Sequence, residues 1–92
     1  MSIAFEWKKR PDELGGGELE NRQRIESVFA QVFAQRGHWT AKVLKESLLE
    51  FRVRFLDSGG NPQGPAITFS AMDGHEDVER VIPHLRQRSG GR

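Results

Sequence analysis

The chain has 92 residues, 36% hydrophobic and 29% charged, with 14 Lys and Arg against 13 Asp and Glu for a formal net charge of +1. Such a chain makes a single small domain that withdraws only about 60–65% of its unfolded surface from water, so its core is modest and a deep pocket is not expected. It contains no cysteine, which excludes disulfides and thiolate chemistry. No apolar run approaches the roughly 18 residues of a membrane span and no apolar h-region marks a secretory leader, so the cytoplasm is the expected compartment.

Residues 2–9 set Ile3, Phe5, Trp7 and Lys9 at every second position, the period of a strand, and Pro11 ends it; an edge strand within residues 1–10 is predicted. Residues 11–17, with Gly15-Gly16-Gly17, form a flexible joint. A phosphate cradle there is disfavoured, because Glu18 and Glu20 would repel an anion at the start of the following helix. That helix spans residues 18–36. Ile25, Val28, Phe29, Val32 and Phe33 form its apolar stripe, Arg22, Arg24, Glu26, Gln31 and Gln35 face away or flank it, and Gly37 supplies the left-handed residue that stops it.

Trp39, Ala41 and Val43 alternate with Thr40, Lys42 and Leu44 in a second strand, and Lys45-Glu46-Ser47 turns the chain. In Leu48–Leu56, Leu49, Phe51, Val53 and Phe55 alternate with Glu50, Arg52 and Arg54, which gives a third strand with one oily and one basic face. Residues 57–65 are dense in Gly, Pro, Asn and Asp and read as a long exposed loop. Ala66–Met72 is a fourth strand with Ile67, Phe69 and Ala71 on one face. Asp73 with Glu76 has the spacing of a capping box. Val78, Val81, Ile82 and Leu85 mark a second helix over residues 75–88, kinked near Glu79–Pro83, and residues 89–92 form a flexible tail.

The predicted fold is therefore α+β, in the order β-α-β-β-β-α, with an antiparallel sheet of three to four strands and both helices packed on one face. The other face would carry Lys42, Leu44, Glu50, Arg52, Arg54, Thr68 and Ser70.

Nothing in the chain names a reaction. Asp57-Ser58-Gly59-Gly60 superficially echoes the sequence around a serine-protease nucleophile, yet no base is placed to serve it, and a turn is expected. His38, His75 and His84, with Asp73, Glu76 and Asp77, do not show the one-face spacing of a metal site; the acids fit the first turn of a helix better. Carboxylate pairs such as Glu46 with Glu50 and Glu76 with Glu79 read as solvated faces. The expectation is a non-enzymatic protein without cofactor, metal or small-molecule substrate.

Two basic patches remain. Trp7-Lys8-Lys9-Arg10 sets an aromatic beside three cations, which suits base stacking with phosphate contact, or a core tryptophan beside a solubilising strand end. Arg52 and Arg54 project from one sheet face with Lys42. There a guanidinium fork can hold a phosphate or carboxylate, or pair across the strands with an acid such as Glu46. The expected partner-binding residues are Trp7, Lys8, Lys9, Arg10, Lys42, Arg52 and Arg54.

From the helix at 18–36 to the helix at 75–88, the α-β-β-β-α order resembles that of the double-stranded-RNA-binding domain. That family grips phosphates with lysines at the start of its second helix, where this chain has Gly74-His75-Glu76-Asp77-Val78-Glu79. In size, mixed surface charge and lack of a catalytic motif, the chain also resembles the small one-domain inhibitors encoded by phages, including anti-CRISPR proteins. That resemblance implies docking on a CRISPR surveillance complex in the host cytoplasm, with protein subunits and their bound RNA as partner and blocked nucleic-acid recognition as outcome. The alternative is an RNA- or DNA-binding module that uses the basic sheet face.

Overall fold

The computed structural model describes residues 3–85. Four strands, β1 (Ile3–Glu6), β2 (Trp39–Glu46), β3 (Glu50–Leu56) and β4 (Pro62–Ser70), form one sheet in that order. Helix α1 (Glu18–Val32) connects β1 to β2, and α2 (His75–Glu79) follows β4. The expected α+β class and element order agree with this arrangement.

The sheet is mixed, which corrects the expectation of purely antiparallel pairing. β1 runs parallel to β2, with Ile3 beside Trp39 and Glu6 beside Lys42, while β2–β3 and β3–β4 are antiparallel. The reason is the connection. A tight hairpin returns the chain antiparallel, whereas a helix between two strands carries it back to start the next strand in the same direction.

Alternation places Ala41, Val43, Phe51, Val53, Phe55 and Phe69 on one face, where they join Ile25, Phe29 and Phe33 of the helix side in a single apolar cluster. Val78, Val81, Ile82 and Leu85 complete it. Phe29 is its centre: its ring lies 5.0 Å from Phe69, 5.1 Å from Phe5 and 5.9 Å from Phe55. Burying a side chain of this kind contributes about 1.5–3 kcal/mol before entropy is subtracted.

Several boundaries move. α1 ends at Val32, and residues 33–36 continue as turns before Gly37, whose φ of +87° is the left-handed conformation expected of it. Leu49 lies outside β3 and is 66% exposed, so it does not share the oily face assigned to it. β4 begins at Pro62, so the long loop expected at 57–65 is a short turn. Asp57 closes it by accepting the N–H groups of Gly59 and Asn61, each at 2.9 Å, and the side-chain amide of buried Gln63, also at 2.9 Å. Past Gln63, Gly64 adopts φ +77° in an irregular stretch of the β3–β4 ladder. That conformation costs a glycine little and any other residue more.

The α2 cap also differs from expectation. Gly74, not Asp73, precedes the helix, and its N–H donates to Asp77 at 2.9 Å, while Asp73 accepts from Ser70 N–H. α2 stops at Glu79 and helical backbone resumes over 82–85. Pro83 has no N–H to continue the ladder, so the interruption falls where it was expected. Residues 86–88 of the expected helix and the 89–92 tail lie outside the described residues.

Candidate anion-binding face of the sheet

The two basic patches read from the sequence have different environments. At the first, Trp7 is half-buried against the core, stacked on Phe5 at 4.9 Å and edge-on to Phe51 at 5.6 Å. Its indole N–H donates to Glu26 at 2.6 Å, and the Arg22 guanidinium lies 4.3 Å above its ring. Trp7 is therefore not free to stack on a base. Lys9 pairs with Glu18 at 3.8 Å, and Arg10 with Asp12 at 3.5 Å and Glu13 at 3.9 Å. Lys8 alone of these cations is exposed without an ion pair among the described residues.

Arg22 was expected to face away from the core or flank it, but it is buried. Its Nε and Nη2 donate to the two carboxylate oxygens of Glu46, each at 2.9 Å, and Nη2 also donates to the Lys9 carbonyl at 2.7 Å. Glu46 is thus taken and does not neutralise Arg52 or Arg54. An irregularity in the β2–β3 ladder accounts for this. Val43 faces Val53, Lys45 faces Arg52 and Glu46 faces Phe51, so Leu44 is one residue in excess. An extra residue in one strand shifts the alternation behind it. Glu46 consequently points into the core side, and Lys45 joins Lys42 on the outside.

The outer face of the sheet thereby gathers four cations. Lys42 stands opposite Arg54, and Lys45 opposite Arg52. None of the four makes an ion pair among the described residues. Arg54 is half-buried, and its Nε is enclosed without a hydrogen-bond partner. Glu6 borders the group beside Lys42, and Thr68 lies opposite Arg52. A shallow cleft of about 140 Å³ lies between Lys45, Ser47, Glu50, Arg52 and Thr68. Like charges set directly across a ladder destabilise it by about 0.2–1 kcal/mol per pair, and their summed field attracts anions.

Sequence reading found Lys42, Arg52 and Arg54 but missed Lys45, because strict alternation puts position 45 with Ala41 and Val43. The available clue was Arg22, which lies one turn before Ile25 on the apolar stripe and required a buried anion from somewhere in the chain.

Another hollow, of about 400 Å³, lies where Gln31, Gln35 and Arg36 meet His75 and Glu79. It holds no serine, threonine or cysteine nucleophile. Ser47 in the outer cleft is engaged in its own turn, where its hydroxyl accepts the Glu50 N–H at 3.2 Å. Ser58 sits in the turn closed by Asp57. The described residues contain no group of three His, Asp or Glu side chains placed to hold a metal ion, and no described helix is long and apolar enough to cross a membrane. Comparison with protein-family models, curated proteins and solved structures returned no match.

Proposed function

We propose that this chain is a non-enzymatic interaction protein that docks on a nucleoprotein complex through the outer face of its sheet and blocks nucleic-acid recognition. Its sharpest form is an inhibitor of a CRISPR surveillance complex. The observation that carries the reading is the opposed pairs Lys42–Arg54 and Lys45–Arg52, four cations that make no ion pair among the described residues. A nucleoprotein complex offers anions of both kinds that a guanidinium fork grips, phosphates of bound RNA and carboxylates of its subunits.

Two features favour a composite partner over free nucleic acid. The net charge of +1 gives little long-range attraction to a polyanion. Moreover, all six phenylalanines and both tryptophans lie in the core or pack against it, so the outer face has no ring on which a base could stack.

The test is binding to purified CRISPR surveillance complexes, with free guide RNA measured in parallel. Arg52→Glu/Arg54→Glu should weaken binding to the complex by about tenfold or more, the loss typical of a desolvated interface centre. Lys8→Glu/Lys9→Glu should leave it within about twofold. Equal affinity for free RNA, with a steep log–log salt slope of about −0.7 per phosphate contact, would identify a direct RNA-binding module instead. Unchanged binding in the Arg52/Arg54 variant would refute the assignment of this face.

A further inference from the structure

Among the described residues, three of the four exposed large hydrophobic side chains lie on two adjoining turns: Leu48 and Leu49 between β2 and β3, and Met72 between β4 and α2. Leu49 is 66% and Met72 68% exposed. The two turns are fastened to each other and to α1. Ala71 N–H donates to the Leu49 carbonyl at 2.8 Å, and the Asn21 amide donates to the Leu48 carbonyl at 2.8 Å. Arg24 donates to the Ala71 carbonyl at 2.6 Å. The backbone of this tip is thus held by polar contacts while its apolar side chains point to water. A tip already ordered loses little entropy on binding, which favours its use as an anchor.

The tip adjoins the cationic face. Ser47, which begins the first turn, lines the same cleft as Lys45 and Arg52. An apolar centre with charged neighbours is the anatomy of a protein–protein contact.

We propose that Leu48, Leu49 and Met72 form the apolar anchor of the docking surface, and that their occupant is a protein subunit with an apolar recess bordered by Asp or Glu side chains. This rests on the docking reading above and narrows it from a nucleoprotein to its protein component at this end. A second copy of the chain fits poorly, since a symmetric contact would press Lys45 and Arg52 toward the same cations of the other copy. Nucleic acid fits poorly as well, because three aliphatic side chains offer no stacking platform.

The experiment uses the full chain and a purified surveillance complex that it binds. Leu49→Ser/Met72→Ser, both at exposed positions, should keep the melting temperature and weaken binding about tenfold. A photo-crosslinking amino acid at position 49 should label a protein subunit, and one at position 58, at the opposite end of β3, should not. Affinity unchanged in the Leu49/Met72 variant, with binding still lost in Arg52→Glu/Arg54→Glu, overturns the anchor and leaves the docking face standing. Labelling of guide RNA from position 49, or co-sedimentation with phosphatidylserine-rich vesicles that the Leu49/Met72 substitutions abolish, overturns the protein occupant. If no surveillance complex binds the wild-type chain, the docking reading fails and the anchor falls with it.

Discussion

Arg22 and Arg54 show two treatments of the same side chain. Arg22, under α1, has a bidentate carboxylate, a backbone carbonyl and an indole face around it. Arg54, on the other side of the sheet, faces Lys42 and has an enclosed Nε with no partner. The first environment is what a buried charge needs merely to be tolerated. The second costs stability with no internal return. Arg22 thus serves the structure, whereas Arg54, with Lys42, Lys45 and Arg52 around it, makes no ion pair among the described residues and is available to an external anion.

The sharpest way to break this contrast is to remove Glu46. Its side chain and that of Arg22 are only 1% and 5% exposed, so Glu46→Gln should leave a buried charge uncompensated and cost about 3–5 kcal/mol in denaturant unfolding. A loss below about 1 kcal/mol would show the Arg22 site to be wet and the contrast false. Phe51→Ala, which removes the edge contact beneath Trp7, should cost a similar 3–5 kcal/mol, as buried aromatic truncations do.

On the outer face the sign reverses. Lys45→Glu turns the repulsive pair with Arg52 into an attractive one and should raise stability by about 0.2–1 kcal/mol while weakening partner binding, whereas Lys42→Glu gains Arg54 but sets a second carboxylate beside Glu6 and should change stability less. A fall in stability would mean that these lysines serve the fold. The smallest effect is at the far end of β3. The Asn61 N–H foremost, with Gly59 N–H and the Gln63 amide, outweighs the opposing effect of desolvation and holds the Asp57 carboxyl below its ordinary value. A depressed carboxylate contributes fully above the unfolded value of about 4 and loses that contribution as pH falls through the lowered one. Asp57→Asn should therefore lower the melting temperature at neutral pH, with the difference shrinking in acid. A constant difference across that range would remove Asp57 ionisation from the turn's stability.

Much of the architecture was legible because alternation and helical periodicity respond to burial. Phe29, Phe33, Phe51, Val53, Phe69, Val81 and Leu85 were expected in one core and are found there. What escaped detection depends on contacts distant in sequence. The parallel pairing of β1 follows from where α1 returns the chain, which a local pattern does not encode. The surplus residue at Leu44 leaves no local trace, yet it decides that Glu46 meets Arg22 and that Lys45 joins the outer cations. Turn composition misled at 57–65, since Pro62 and Pro65 suit an edge strand as well as a loop.

The parallel strand also bears on the order in which the chain assembles. Val43 reaches Val53 across a hairpin whose turn is only residues 47–49, whereas Ile3 must reach Trp39 across the whole of α1. Short loops close at lower entropic cost and sooner. The cationic hairpin is therefore expected to nucleate early, with the N-terminal strand as the last latch to close. Trp7, just beyond β1, lies against Arg22, so in a Trp39→Phe variant the closing of that latch would be reported by the quenching or shift of the one remaining indole's fluorescence.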